Sequence, residues 1–208
     1  MCWARIAAVP LENEQVRLRP VVAADRSSLH AIGMDPEIWR YFVIAVRTDA
    51  DFDAFFDLGL ADQDAGRRVI YHITDQVTGR AAGSMSFCNL AEADGRLEIG
   101  WSWLGRHARG QGVNRRAKFL MLRHAFEQMA AERVEFKTDR LNIQARTALR
   151  NIGASEEGTL RSFNPMPDGR RRDAVYYSVL REEWPRVSAQ LLTRPTAMPA
   201  ATPAEAAT

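Results

Sequence analysis

The hydrophobic pattern of the chain changes its period abruptly near the middle. Over residues 97–103 apolar side chains alternate with other residues, which predicts a half-buried β-strand, and over residues 112–131 they recur at helical spacing. The loop between the two segments contains Gly110 and Gly112. A strand, a glycine loop and a helix start direct several backbone N–H groups at one point, where a pyrophosphate can accept hydrogen bonds. Glycines also suit an ordinary tight turn, so the pattern predicts either an anion site or a purely structural junction.

The other segments predict a mixed α+β protein. Strands are predicted at residues 16–19, 69–73, 81–87, 134–138, 159–163 and 174–180. Helices are predicted at residues 25–34, 52–60 and 142–152, with a short turn of helix after Asp35-Pro36. Thr48 and Asp51 have the spacing of a capping box. This order predicts a mixed, mostly antiparallel central sheet flanked by helices, without an internal repeat.

Composition divides the chain into one domain and two ends. Residues 15–194 contain the periodic segments and are expected to form a single domain. Residues 1–14 carry only a short, broken apolar patch and are expected to be flexible. Residues 195–208 consist of Ala, Pro, Thr, Met and Glu, and with no aromatic or β-branched aliphatic residue to bury they predict a disordered tail.

Charge and cysteine usage exclude several classes of protein. A net charge of +2 is too small to predict a nucleic-acid partner. Cys2 and Cys88 lie far apart, and the four histidines lack metal-ligand spacing, so neither a disulfide framework nor a metal site is expected. No run of 18 uncharged apolar residues and no signal-peptide core is present, which predicts a cytoplasmic protein without a membrane partner.

Four segments share their order and spacing with one known family. Residues 97–104, LEIGWSWL, are similar to its central strand, and residues 109–114, RGQGVN, are similar to its coenzyme A loop. Residues 134–142, VEFKTDRLN, with the closing RNIGA of residues 150–154, resemble its second motif, and residues 157–180 resemble its final hairpin. On these segments the chain resembles the GNAT superfamily of N-acetyltransferases, in the branch related to ribosomal-protein N-terminal acetyltransferases.

The resemblance implies a GNAT-like acyl-CoA N-acyltransferase fold, with acetyl-coenzyme A as co-substrate and no metal. It implies that the central strand bulges and separates from the strand at residues 134–138, and that the pantetheine arm binds in the gap. The coenzyme A site is expected to include Trp101, Trp103, Leu104, Arg109, Gly110, Gln111, Gly112, Val113, Asn114, Arg115 and Asn142. Asn142 has a second interpretation, because an asparagine that opens a helix is also an ordinary N-cap.

Three residues are candidates for the chemical step. Glu98 is the candidate general base, since a carboxylate beside the separated strands can take a proton from an ammonium; a solvated charge on the polar face of a strand is the alternative. The acid that protonates the leaving thiolate is often a helix tyrosine in this family, but Leu149 occupies that position here. Tyr177 and Ser102 are the candidate substitutes. Because side chains alternate along a strand, only one of Tyr176 and Tyr177 can face the cleft.

Arg115 and Arg116 break a local rule. Positive charges in the first turn of a helix oppose its dipole, at a cost of ~0.3–1 kcal/mol each at an exposed site. Their presence favours an anionic partner, and the phosphates of coenzyme A are the nearest candidates; two solvated surface arginines are the alternative.

Three functional hypotheses remain open from the sequence. The first is an enzyme that acetylates a primary amine, either a peptide N-terminus or a small molecule. The second is a non-catalytic module that binds or senses acyl-coenzyme A. The third, a nucleic-acid adaptor using Arg170, Arg171 and Arg172, is disfavoured because no aromatic residues interleave that run. A homodimer is compatible with the sequence, which does not decide the assembly.

Overall fold

The computed structural model describes residues 2–193, and its first elements differ from the sequence prediction. Residues 2–14, predicted to be flexible, instead contain helix α1 (Trp3–Ala7) and strand β1 (Leu11–Glu12). The Trp3 side chain is buried in the main core, and the carbonyl oxygen of Ile6 lies 2.9 Å from Nε2 of His124. Burial against a distant helix orders this segment, which is a contact that local periodicity cannot reveal. The predicted C-terminal tail lies outside the described residues.

Residues 16–64 contribute one strand and three α-helices. They are β2 (Val16–Pro20), α2 (Arg26–Gly33), α3 (Pro36–Trp39) and α4 (Asp49–Asp64). The predicted capping box is confirmed at the start of α4, where Thr48 Oγ1 accepts the Asp51 N–H at 3.2 Å and the Asp51 carboxylate accepts the Thr48 N–H at 2.9 Å. Together these two bonds satisfy donors that the helix cannot pair itself.

The rest of the chain supplies the main sheet and its covering helices. Its elements are β3 (Arg68–Asp75), β4 (Arg80–Ala91), β5 (Arg96–Leu104), α5 (Val113–Glu127), β6 (Arg133–Asp139), α6 (Ile143–Asn151), β7 (Ser155–Pro165), β8 (Arg171–Leu180) and α7 (Trp184–Thr193). Helix α5 ends four residues earlier than its apolar pattern predicts. Met129 and Ala131 are buried, but they lie in the connection to β6.

The sheet has eight strands in the order β1-β2-β3-β4-β5-β6-β8-β7. All neighbours are antiparallel except β5 and β6, which are parallel because α5 connects them. The predicted mixed, mostly antiparallel sheet is therefore confirmed, and β3, β4 and β5 form an antiparallel meander within it. The one parallel pair lies at the centre of the sheet.

Helices cover both faces of this sheet. One face packs with α1, α5 and α7 into the larger core, which contains Leu120, Tyr177 and Trp184. The other face packs with α2, α3 and α4 around Phe52 and Trp103. Among residues 2–193, no helix combines the length and the apolar character needed to cross a membrane.

Candidate active site

Strands β5 and β6 separate in the middle of the sheet. Their ladder has three register pairs, ending at Glu98 with Glu135, and β5 continues to Leu104 without β6 beside it. A bulge on β5 accompanies this separation: Trp101 has φ of 51°, and the register with β4 shifts between Ser84 and Ser86. A bulge increases strand twist and bends the strand away from its neighbour. The result is a V-shaped gap at the centre of the sheet.

A cavity of about 1120 Å³ occupies this gap. Its lining includes the loop before α5 and the first turns of that helix, together with β5, β6 and the start of α6. The segment after α3, the end of β4 and residues of β7 and β8 complete the lining. The cavity therefore brings groups from most of the central elements to one continuous space.

The loop end of the cavity has the features of an anion site. Gly110 and Gly112 adopt φ of 77° and 78°, a backbone region that side-chain-bearing residues rarely enter. Helix α5 starts at Val113 with no side-chain cap and no acidic residue in its first turn. Arg116 Nη1 donates to the Gln111 carbonyl at 2.8 Å and ties the loop to the helix. An uncapped helix start that follows a glycine loop suits a phosphate oxygen.

Most residues predicted for the coenzyme A site line this cavity. They are Trp101, Trp103, Leu104, Arg109, Gly110, Gly112, Asn114 and Asn142. Gln111, Val113 and Arg115 do not line it, and the Val113 side chain is buried in the core. Contacts of these three residues with coenzyme A stay a prediction.

The Arg109 side chain holds the loop in place through contacts inside the protein. Its Nε donates to the carbonyl of Leu104 at 2.9 Å, and its Nη2 lies 3.6 Å from the Asp35 carboxylate. The guanidinium thereby connects the loop to the end of β5 and to the start of α3. Asn142 is the N-cap of α6, because its Oδ1 accepts the Ala145 N–H at 3.0 Å. It also lines the cavity, so the N-cap role and the predicted coenzyme A contact are compatible.

Glu98 lies where the strands separate, and its side chain is buried with 6% of the residue exposed. Its Oε2 accepts a hydrogen bond from Asn89 Nδ2 at 2.6 Å and lies 3.6 Å from Lys137 Nζ. Its Oε1 lies so close to Gly100 that a Cβ there would be 2.8 Å away. The alternative of a solvated surface charge is therefore wrong, since the carboxylate is enclosed and faces the cavity.

The structure does not bring Tyr177 to the cavity. Its hydroxyl donates to Glu156 Oε2 at 2.6 Å and accepts from Arg146 Nε at 3.2 Å, on the sheet face that packs against the helices of the larger core. Burial, with this bond to Glu156, raises the pKa of the Tyr177 phenol. Tyr177 is therefore not a candidate acid. Ser102 does line the cavity, and its Oγ is 3.4 Å from the carbonyl of Gly100.

Several charged residues of the cavity wall were not predicted from the sequence. The chain has only two lysines, Lys118 and Lys137, and both line the cavity. Arg172 lines it as well. The rarity of lysine in an arginine-rich chain is the signal that could have identified the first two. No comparable signal distinguishes Arg172, because it belongs to a run of three arginines.

Lys118 and Cys88 have titration properties set by burial. The Lys118 ammonium donates to Asn114 Oδ1 at 2.6 Å, and burial lowers its pKa to about 8. Burial also raises the pKa of the Cys88 thiol, which holds this cavity cysteine in its protonated form at neutral pH. Because the thiolate is the nucleophilic form, Cys88 is a poor nucleophile. Within residues 2–193, no group of three His, Cys, Asp or Glu side chains is placed to hold a metal ion.

The aromatic residues near α3 and α4 divide between core and cavity. Trp39, Phe52 and Phe56 belong to the smaller core, as their spacing allows. Tyr41 and Phe42, which follow α3, line the cavity, and the Phe42 ring lies 6.1 Å from the Trp101 ring. This part of the cavity therefore has an aromatic rim.

Comparisons with known proteins agree with this geometry. Residues 15–155 match a family model described as an acetyltransferase (GNAT) domain. The chain is 28% identical over 179 residues to the uncharacterized N-acetyltransferase p20 of Bacillus licheniformis, covering 84% of this chain and 97% of that protein. It is 32% identical over 106 residues to YdaF of Bacillus subtilis (strain 168), named a "putative ribosomal N-acetyltransferase", covering 51% and 57% of the two chains. A solved "putative acetyltransferase" from T. thermophilus has a TM-score of 0.80 and 36% identity, covering 88% and 95%.

Proposed function

Because this chain belongs to the GNAT acetyltransferase family, we propose that it transfers the acetyl group of acetyl-coenzyme A to a primary amine by direct attack in a ternary complex. The observation that carries the proposal is the position of Glu98. Its buried carboxylate faces a cavity of about 1120 Å³ at the point where β5 and β6 separate. A carboxylate at this point faces the cavity in which acetyl-coenzyme A and the amine are both expected to bind.

In this proposal acetyl-coenzyme A binds with its phosphates at the glycine loop. The uncapped start of α5 suits the pyrophosphate, and the gap between β5 and β6 suits the pantetheine arm, which can pair with strand backbone like an added strand. The thioester carbonyl then lies near the bulge at Trp101, where a backbone N–H can stabilise the oxyanion that forms during attack. This arrangement leaves the part of the cavity beside Glu98 for the amine.

The proposed chemistry is a single acyl transfer. The amine nitrogen attacks the thioester carbon, the carbon–sulfur bond breaks, and coenzyme A leaves as a thiolate that takes up a proton. The amine gives its surplus proton to Glu98, directly or through water. No covalent enzyme intermediate is needed, and the protonated state of the Cys88 thiol at neutral pH supports this.

The acceptor in this proposal is either a peptide N-terminus or a small-molecule amine. The name of the YdaF relative points to a ribosomal acceptor for that protein. The aromatic rim formed by Tyr41 and Phe42 provides an apolar entrance that suits either class. The assembly state, including a homodimer, is open in the proposal.

The proposal is tested by measuring release of free coenzyme A thiol with a panel of amines. We expect Glu98→Gln to lower kcat/KM by ~10²-fold or more, since general-base assistance contributes ~10²–10⁴-fold. The stabilisation of the protein by acetyl-coenzyme A against heat should be unchanged in this variant, because binding does not need the base.

Glu135→Gln is the matched control, since Glu135 is the register partner of Glu98 but pairs with Arg133 and does not line the cavity. If Glu98→Gln keeps the wild-type rate, Glu98 is removed from the mechanism. If acetyl-coenzyme A stabilises the protein but no amine releases thiol, the binding or sensing module becomes the better hypothesis.

A further inference from the structure

Arg172 is a buried cation whose side chain has no hydrogen-bond partner among residues 2–193. It lies on β8 with 6% of the residue exposed, and it lines the cavity. Its Nε is enclosed without a hydrogen-bond partner, and its guanidinium makes no hydrogen bond or close ion pair within the described part of the chain. A buried charge without a partner is costly, so buried charges are normally paired. Arg172 thus has the character of a binding group that lacks its ligand.

The neighbouring carboxylates already have cations. Glu98 Oε2 lies 3.6 Å from Lys137 Nζ, and Asp139 Oδ2 lies 2.5 Å from Arg170 Nη2. Both carboxylates act on Arg172 from a distance, whereas burial lowers the pKa of its guanidinium. After these two pairs are counted, no carboxylate among the described residues forms a close ion pair with Arg172.

Arg172 lies on the same sheet face as Glu98. In the β6–β8 ladder, Lys137 is opposite Tyr176 and Asp139 is opposite Ala174, and side chains alternate along β8, so Arg172 shares the face of Lys137. Glu135, two residues before Lys137, is the register partner of Glu98. Arg172 is therefore on the amine side of the proposed reaction. The glycine loop that suits the coenzyme A phosphates belongs to a different segment of the chain, between β5 and α5.

The other buried arginine of the sheet differs in this respect. Arg68 also has an Nε without a hydrogen-bond partner, but its guanidinium lies over the Trp101 ring at 4.8 Å and 3.5 Å from the Asp62 carboxylate. Those contacts provide Arg68 with a partner inside the protein. Both arginines are buried, but only Arg172 of the two lines the cavity, where a ligand can reach its guanidinium.

We propose that Arg172 binds a carboxylate of the acceptor, so that the enzyme selects amines that also carry a carboxylate. This inference rests on the proposed acetyl transfer and narrows its acceptor class. A guanidinium matches a planar carboxylate with two parallel hydrogen bonds. A carboxylate is favoured over a phosphate because Arg172 balances one negative charge, and a second negative charge would be repelled by Glu98 and Asp139. The amine of such an acceptor points along the same face toward Glu98.

The test compares matched acceptors in the thiol-release assay. In the first series, amino acids of increasing length, from glycine to 6-aminohexanoate, are each compared with their own carboxamides. In the second series, C-terminally amidated dipeptides with Asp in second position are compared with the same dipeptides carrying Asn there. We expect wild type to prefer the carboxylate over its amide by ~10–100-fold in kcat/KM in one series, because hydrogen bonds to a charged group are among the stronger ones. The free amino acids and the peptides distinguish a small-molecule from a peptide carboxylate.

Variants assign the preference to Arg172. In Arg172→Gln the preference should fall to within ~3-fold, and in Arg172→Lys it should be intermediate, since the charge remains but the paired donors are lost. The matched control is Arg171→Gln: Arg171 is exposed on the opposite face and bonds to Ser162, so the preference should persist. The melting temperature of Arg172→Gln should stay level or rise, because an uncompensated buried charge is removed.

Several outcomes separate this inference from the proposed function. If wild type acetylates carboxamides as fast as carboxylates in both series, the inference is overturned, whether or not the variants fold. If the preference survives in folded Arg172→Gln, another residue binds the carboxylate. If no amine in any series releases thiol while acetyl-coenzyme A binds, the proposed acetyl transfer itself fails.

Discussion

Substitution of Lys118 by methionine tests the energetics of the cavity. Burial lowers the pKa of the Lys118 ammonium from an ordinary 10.5 to about 8, and at ~1.4 kcal/mol for each tenfold change this amounts to about 3 kcal/mol. The folded state disfavours the charged form, so this destabilisation is fully present below pH 8, where Lys118 is protonated in both states. It is lost as the pH rises from 8 to 10.5, because the unfolded state then binds more protons than the folded state.

Methionine has a similar length but no charge, so Lys118→Met removes this cost at every pH. We expect the variant to be more stable than wild type at pH 7, less a contribution from the lost 2.6 Å hydrogen bond to Asn114. Its advantage in the free energy of unfolding should shrink by about 2 kcal/mol between pH 7 and pH 9.5. Urea denaturation of both proteins across this range measures the difference.

Lys137→Met is the control, because Lys137 is the other lysine of the chain and lines the same cavity with 23% of its side chain exposed. A pH-independent difference between Lys118→Met and wild type would refute the reasoning. An equal pH dependence in both variants would assign the effect to the overall charge of the protein rather than to burial of Lys118.

Two further substitutions test the geometry around Glu98 and Tyr177. Gly100→Ala places a Cβ 2.8 Å from Glu98 Oε1 and 3.2 Å from Cys88 Sγ, so the carboxylate must move. We expect kcat/KM in the thiol-release assay to fall by ~10²-fold. The free energy of unfolding, measured by urea denaturation, should fall by ~1–3 kcal/mol. A wild-type rate would show that Glu98 need not hold this position. Tyr177→Phe removes the hydroxyl between Arg146 and Glu156, so stability should fall by ~1 kcal/mol in the same denaturation experiment, while the rate stays within ~3-fold. A much larger loss of rate in folded Tyr177→Phe would restore that residue as a candidate acid.

Local signals in the sequence were sufficient for most of the secondary structure. The capping box of Thr48 and Asp51 and the N-cap at Asn142 were both found from spacing alone, because their hydrogen bonds span only three residues. The strand, loop and helix around Gly110 were found for the same reason, since a change of hydrophobic period is visible over a few turns. The resemblance to the GNAT family rests on these same continuous segments.

Contacts between distant segments were not predictable in this way. The ordered N-terminal helix depends on a core to which α5 contributes, and the alternation of β8 shows only that Tyr176 and Tyr177 face opposite sides, not which side has the cavity. Strand pairing and helix placement settle that question, and they place Tyr177 against Arg146.

The sequence by itself determined most of the elements and the glycine loop before α5, because these depend on the propensities and hydrogen bonds of neighbouring residues. Only the tertiary structure decided the composition of the cavity wall. It buried Glu98, left Arg172 without a close carboxylate partner among residues 2–193, and brought both lysines to one space. The physical reason is that burial and charge pairing depend on which strands and helices meet, and residues 98 and 172 meet only when β5, β6 and β8 form one sheet.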